Sequence, residues 1–367
     1  MRIVYGIHGY GRGHATRALG VLPELRQRHE VLVLAGGDAY QALAPLGPVT
    51  QIPTLTYVYR KSGKVATPET LHENAERIWD LLSRGETHRK VLAALRDFRP
   101  DLAICDVEPW THQVAARLGI PRISFDHFGI LAYCKPPMPW SDRIRCLRDI
   151  AVYRALTGRP DRVIVSSFYQ APATFPAARC VGALLRDDVF KVRAVRGDTL
   201  LAYFNKGEHQ YTPHVEEALQ GAGLPALVYG TARSGTDGNV TYRPPGNASF
   251  LEDLARCRAV LSTAGNQLVG EALHFGKPLL VHPERCVEQR LNAAAVSRLR
   301  IGAAVRHEDI SADAIRRFVR DAPQYAVGAR GLVRDGRSEA LAAIESFASE
   351  LAQSRGSKPS RSWELAW

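Results

Sequence analysis

The sequence predicts an α/β protein made of two doubly wound parallel-sheet domains facing a cleft. Short apolar runs alternate with helical patterns of period 3.6, as in parallel strands joined by crossover helices. The chain of 367 residues is about twice the usual domain length. The alternation breaks once, near 185–198, where Arg, Asp and Lys displace the apolar pattern.

Before that break the predicted strands are Arg2–Ile7, Glu30–Ala35, Leu102–Cys105, Arg122–Phe125 and Arg162–Ser166. A helix is expected between Pro68 and Phe98, with Thr67 as N-cap and Pro68 at the first helical position. Another covers Trp110–Leu118. After the break, strands are expected at Leu200–Phe204, Ala226–Tyr229, Val240–Arg243, Val260–Ser262, Pro278–Val281 and Ala303–Val305. Helical patterns cover Pro213–Gln220, Phe250–Arg256, Gln267–Phe275, Val287–Leu299 and Ala312–Val319. The expected domains are therefore 1–185 and 198–335, with a linker at 186–197. A last amphipathic helix is expected at 336–352, and a Ser-, Lys- and Arg-rich tail at 353–367 without regular structure.

With 46% hydrophobic and 23% charged residues the chain is neither disordered nor fibrous. Lys and Arg number 48 against 37 Asp and Glu, a net +11. A basic region should therefore attract nucleotide phosphates, acidic lipid headgroups or nucleic acid. The six cysteines (Cys105, Cys134, Cys146, Cys180, Cys257, Cys286) lack CxxC spacing, which argues against a zinc site and a dense disulfide framework and for the reducing cytoplasm. No run approaches the ~18–20 apolar residues that span a bilayer, so any membrane contact is expected to be peripheral, at the inner face.

The first strand runs into Gly9-Tyr10-Gly11-Arg12-Gly13-His14-Ala15-Thr16-Arg17 and then a helix. Glycines such as Gly11 and Gly13 at a strand-to-helix turn let backbone approach a ligand, and the helix start favours anionic or polar oxygen. Histidine suits a base at neutral pH, and Arg17 would lie near a phosphate held there. A plain tight turn with a solvent-facing His14 is the alternative. His8, at the strand end, reads as structural. Ligands gather outside the carboxyl ends of parallel strands, so Asp106 should share a rim with His14 and orient its ring, or else cap the helix near Trp110. Asp126, followed by His127, is the rival partner.

In the second half Ser262-Thr263-Ala264-Gly265-Asn266 ends a strand and opens a helix carrying Glu271. Gly276-Lys277-Pro278, a strand, Pro283 and Glu288-Gln289-Arg290-Leu291-Asn292-Ala293 follow. Free amides at the first helix can hold a pyrophosphate. Glu271 can take two ribose hydroxyls, and Glu288 with Gln289 can hydrogen-bond sugar hydroxyls.

These residues resemble GT-B glycosyltransferases: the bacterial and plant UDP-sugar-dependent enzymes and the lipid-linked N-acetylglucosaminyltransferase of cell-wall synthesis. The resemblance covers Met1 to about Leu351 and is most specific over Ser262–Ala293. It implies a GT-B architecture of two Rossmann-like domains, with the last helix returning to the N-terminal one. Glu271 falls on the ribose position, Gly265 on the phosphate turn, and Glu288 and Gln289 on the donor-sugar positions. His14 matches the general base and Asp106 the carboxylate paired with it. The sequence departs from the plant pattern at Thr263 and Leu268 and lacks the base-stacking aromatic. Phosphate contacts are thus expected from backbone amides, Thr263, Asn266 or the loop Asn205-Lys206-Gly207.

The expected activity is inverting, metal-independent transfer from a nucleotide-diphosphate sugar, with UDP favoured, to a hydroxyl or amine of a small or lipid-linked acceptor. The sugar nucleotide is a co-substrate, and no cofactor or metal is expected. The loop Gly11-Arg12-Gly13-His14-x-x-Arg17 also resembles that of GT-B-like UDP-sugar hydrolases, in which water replaces the acceptor. A third reading is a non-catalytic anion- or RNA-binding protein using Arg60, Lys61, Lys64 and the C-terminal basic cluster. No RNA-binding module or stacking motif accompanies it, so nucleic acid is not an expected partner.

Overall fold

The computed structural model describes residues 1–60, 66–205, 207–244, 247–284, 286–329 and 336–354. Lys61, Lys64 and Lys206, and the tail beyond Ser354, lie outside the described residues. The chain forms two compact units: Met1–Val58 with Ala66–Leu184 and the last helix, and a second beginning at Leu185.

The first unit comprises β1 (Arg2–Ile7), α1 (Arg12–Arg28), β2 (Glu30–Ala35), α2 (Gly37–Leu43), β3 (Thr50–Gln51), α3 (Thr67–Glu73), α4 (Ala75–Ser83) and α5 (Glu86–Phe98). There follow β4 (Leu102–Asp106), α6 (Pro109–Arg117), β5 (Arg122–Asp126), α7 (Gly129–Tyr133), α8 (Trp140–Thr157), β6 (Arg162–Ser166) and β7 (Ala178–Val181). All seven strands pair in parallel, in the order β3-β2-β1-β4-β5-β6-β7. The order reverses between β1 and β4, and such a switch point opens a crevice at the carboxyl ends of those strands.

The second unit contains α9 (Asp187–Lys191), β8 (Leu200–Tyr203), α10 (Pro213–Ala222), β9 (Ala226–Tyr229), β10 (Gly235–Asp237), β11 (Val240–Arg243), α11 (Asn247–Arg256) and β12 (Ala259–Ser262). It continues through α12 (Asn266–His274), β13 (Leu279–Val281), α13 (Val287–Arg298), β14 (Gly302–Ala304) and α14 (Ala312–Ala329). Its sheet, β10-β11-β9-β8-β12-β13-β14, is parallel except for the edge strand β10, and switches between β8 and β12.

Alternation along the first sheet sorts its side chains onto two cores. Ile3, Tyr5, Ile7, Ile104 and Phe125 face α1, while Val4, Leu34, Ala103 and Cys105 face α5 and α6. The last helix, α15 (Gly336–Gln353), joins the α1 side. Its Ala340, Ile344, Phe347 and Leu351 recur every three or four residues and bury one stripe, where each large side chain contributes about 1.5–3 kcal/mol. Glu350 accepts from Arg162 and Arg179, so the same helix is also held by ion pairs. In the second unit Leu200, Ala202 and Phe204 pack with Val215 and Leu219 of α10 and with Ile315 and Phe318 of α14.

The single helix expected over 68–98 is instead three. Asn74 donates to the carbonyls of Thr70 and Thr56 and accepts from the Thr56 amide, which pulls the chain out of register after α3. Arg84 adopts a left-handed conformation (φ 57°), and Asp80 reaches forward to cap the amides of Thr87 and His88, starting α5. Thr67 is itself helical, and the residue preceding α3 is Ala66. α8 (Trp140–Thr157) is a helix that the periodicity does not predict. The short strands β3, β7 and β10 also escaped the periodicity. Among the described residues no helix is long and apolar enough to cross a membrane, and all six cysteines are free thiols.

His112 on α6 is fully buried and neither ring nitrogen has a hydrogen-bond partner. Burial, aided by the Arg122 charge, lowers its pKa to about 3. Between the ordinary histidine value and about 3 the unfolded chain binds the extra proton, so stability falls as pH falls through that window. His112→Leu, which is closer to the histidine in volume and does not titrate, should therefore gain about 2 kcal/mol relative to the parent between pH 7 and pH 5. Denaturant unfolding of both proteins at the two pH values measures this, and a constant difference would refute it.

Candidate active site

In the first unit, parallel pairing sets Ile7 beside Asp106, and the His8 amide donates to the Asp106 carbonyl at 3.0 Å. That register delivers Asp106 to the loop between β1 and α1. Gly11 needs its glycine because its φ is 87°. Gly9 needs its own because a Cβ there would come within 2.1 Å of the Gly36 carbonyl oxygen. A Cβ on Gly13 would meet nothing within 4 Å.

His14, in the first turn of α1, places Nδ1 2.8 Å from Asp106 Oδ1. Arg17 forks onto the same carboxylate, Nε to Oδ2 at 2.8 Å and Nη2 to Oδ1 at 2.9 Å. Arg17 also lies 3.2 Å from His14 Nδ1. A guanidinium can only donate and the ionised carboxylate can only accept, so the shorter contact assigns the Nδ1 proton to the Asp106 bond. The lone pair of the neutral ring is then on Nε2, and the side chain is 21% exposed.

Asp106 is fully buried. Burial pushes its pKa up, but the Arg17 guanidinium, together with the hydrogen bonds from His14 and Arg17, outweighs burial and holds it at about 2. His8 packs edge-on to His14, and burial with the neighbouring His14 lowers its pKa to about 3, so it stays neutral beside the pair. Val107, next to Asp106, has φ 54°, a conformation that strains a β-branched residue and costs of order 1–3 kcal/mol.

Several expectations shift here. Arg17 is buried and committed to Asp106, because a buried guanidinium needs its counter-charge, so it is not free for a phosphate. The cap of α6 is Glu108, which accepts from the Trp110 and Thr111 amides, and not Asp106. Asp126 does not meet His14: it accepts from the Gly129 amide, Ser124 and Tyr153, and burial raises its pKa. His127 is buried with Nδ1 on the Ser166 carbonyl.

In the second unit the turn after β12 contains Thr263, then Ala264 in a left-handed conformation (φ 64°), then Gly265 ahead of α12. Asn292 of α13 donates to the Ala264 carbonyl at 2.9 Å and pins the turn. The N-cap of α12 is Gly265, which makes no side-chain cap, and the start of a helix carries the positive end of its dipole. Gly265 has an ordinary φ of −63°, and among the described residues a Cβ there would meet nothing within 4 Å, so none of them demands a glycine. Asn266 is buried at the first helical position, and Asn205 is exposed just beyond β8, across the switch point.

Glu271 is buried and its Oε1 accepts from Arg186 at 3.1 Å. Burial raises its pKa, opposed by Arg186. The carboxylate expected to meet ribose thus already holds a cation. Gln289 accepts from the Glu284 amide and donates to its carboxylate, which also accepts from Gln210. Glu288 is half-buried in the first turn of α13. Sequence reading missed Arg186, Gln210, Glu284 and His282. His282 follows β13, and burial lowers its pKa to about 3; its position at a strand end was the available signal. No cluster of three or more metal-binding side chains occurs among the described residues.

The sequence model of glycosyl transferase family 1 matches residues 1–323. The chain belongs to that family. No curated protein matches in sequence. Solved structures match over nearly the whole length. The calicheamicin glycosyltransferase CalG4 is 19% identical, with a TM-score of 0.62, over 96% of this chain and 99% of that one. Arabidopsis thaliana UGT89C1, solved with UDP, is 15% identical, with a TM-score of 0.65, over 95% and 99%. The glycosyltransferase VinC, solved with dTDP, is 15% identical, with a TM-score of 0.61, over 96% and 100%. These likenesses establish the GT-B fold. The family 1 member described here is accordingly a glycosyltransferase with two parallel-sheet α/β units.

Proposed function

We propose that this glycosyltransferase performs an inverting, metal-independent transfer from a nucleotide-diphosphate sugar, with UDP as the nucleotide, to an acceptor hydroxyl or amine. The observation that carries the reading is the His14–Asp106–Arg17 constellation at the first switch point. Arg17 keeps Asp106 ionised, Asp106 holds the Nδ1 proton, and Nε2 is left to accept one. His14 removes the acceptor proton as the oxygen or nitrogen attacks the anomeric carbon. The bond from that carbon to the diphosphate oxygen breaks, and the nucleoside diphosphate leaves. Attack opposite the leaving group inverts the anomeric centre. The α12 amides, with Thr263 and Asn266, bear the departing charge. Glu288 and Gln289 address the sugar, and Glu271 the ribose once Arg186 yields it.

The test is thermal unfolding with UDP, dTDP, GDP and their sugars, together with product analysis with and without a chelator. A ligand at a hundred times its Kd stabilises by about 2.7 kcal/mol. Silence across the panel defeats the reading, as does transfer abolished by chelation. Donor cleavage without acceptor, as fast as transfer, would make the protein a hydrolase.

Gly265→Ala gives a sharper check on the donor half. It should leave the fold within about 1 kcal/mol of the parent, because its methyl meets no atom of the described residues within 4 Å. It should weaken nucleotide binding about tenfold, the methyl standing where phosphate oxygens approach the helix amides. Unchanged affinity in a titration moves the phosphate away from this turn.

A further inference from the structure

The helix α8 is inside out. Its buried side carries Asp142, Cys146, Tyr153 and Thr157. Its solvent side carries Trp140, Ile144, Leu147 and Ala151, spaced by four, three and four residues so that they form one stripe. Trp140 is 73% exposed and Leu147 67%. At 100° per residue, exposed Arg143 flanks the stripe on one side and exposed Arg148 on the other, while Arg154, beside Arg143, turns its guanidinium back to the Ala132 carbonyl. A soluble helix is expected to have the opposite arrangement, apolar inward and charged outward.

A second apolar patch belongs to the same layer. On α4, Trp79 and Leu82 point outward, 70% and 75% exposed, three residues apart, with Arg84 beside them. Leu81 of α4 and Leu156 of α8 both pack toward the core that α5 and α6 form on one face of the first sheet. α4 packs on α5, α5 on α6, and α6 on α8. One helical layer thus presents a tryptophan-centred apolar patch at each end.

We propose that this layer docks the first unit onto an anionic lipid surface. Tryptophan and aliphatic side chains bordered by arginine are what an interfacial helix needs: the apolar stripe enters the headgroup boundary while the guanidinium groups meet lipid phosphates. Charge selects this occupant over a second copy of the chain. α8 contains four Arg against two Asp, and two copies meeting along it would oppose like charges. An anionic bilayer complements them and the chain's net +11. The docking is independent of the transfer chemistry.

Sedimentation of the full chain with phosphatidylcholine vesicles, with and without phosphatidylglycerol, tests it. The protein should pellet with the anionic vesicles at least about tenfold more strongly than with the neutral ones, and less as salt rises. Trp140→Ser/Leu147→Ser should lose at least about tenfold of that binding with its melting temperature held, and Arg143→Ser/Arg148→Ser should lose binding and flatten the salt dependence. Quenching of tryptophan fluorescence by brominated lipid gives a second readout in the unaltered protein. Failure to pellet with either vesicle overturns the proposal, as does equal binding by the variants. A concentration-dependent dimer that the Trp140 variant abolishes overturns it in favour of a second copy.

Discussion

His14→Ala should lower kcat for transfer at least about 100-fold while leaving nucleotide affinity unchanged. The acceptor oxygen must lose its proton as it attacks, and on the first switch point His14 combines a lone pair at Nε2 with partial exposure. His8 cannot substitute. Its pKa is held at about 3, and so weak a base removes little of a hydroxyl proton at neutral pH. The residues proposed to hold the donor lie on the second unit, within its own sheet and core, so truncating His14 should not disturb them. Turnover and nucleotide titration, measured on the same preparation, decide the matter. Undiminished kcat removes His14 from the role of base, whereas a parallel loss of affinity and rate points to a binding role.

Asp106→Ala should be the most destabilising change in the site, by about 3–5 kcal/mol, because it strands the buried Arg17 guanidinium without its counter-charge. The second variant, Asp106→Ala/Arg17→Met, separates the roles. Removing both charges should recover most of the stability, since a buried pair replaced by apolar groups is often close to neutral. Transfer should stay depressed, because the His14 ring has lost the acceptor that fixed its Nδ1 proton. If the double variant recovers activity along with stability, Asp106 acts only as a partner for Arg17. The pH dependence has a defined sign. With its pKa lowered to about 2, Asp106 contributes stability above the ordinary carboxylate range and loses it as pH falls toward 2. The single variant should therefore lie closest to the parent in acid.

The parts of the site legible in the sequence are those written into one contiguous stretch. A strand, a glycine-rich turn and a helix place His14, and the same grammar places Thr263 to Asn266, because strand ends and helix starts carry local residue signals. The partnership of Arg17 and Asp106 spans 89 positions and that of Arg186 and Glu271 spans 85. Such pairs depend on which strands lie side by side, which periodicity does not reveal. The break of 68–98 into three helices turns on the Asn74 and Asp80 side chains reaching out of their own helices, a tertiary choice that overrides local propensity. α8 went unread for a different reason: apolar residues lie on both its faces, Trp140, Ile144, Leu147 and Val152 outward and Cys146 and Tyr153 inward, so no single stripe stands out from the rest of its pattern.

The glycines behind the His14 loop bear on redesign. Gly9 abuts the Gly36 carbonyl, and a Cβ on Gly36 or Gly37 would collide in turn with Thr54 or with Gly9. These three backbones are in close contact, so a side chain added in one of the two turns must displace the other. Directed evolution toward new acceptors would find most single changes there lethal to folding. Gly13, with open space around it, is the tolerant neighbour. Library diversity is better spent there than on the contacts behind His14.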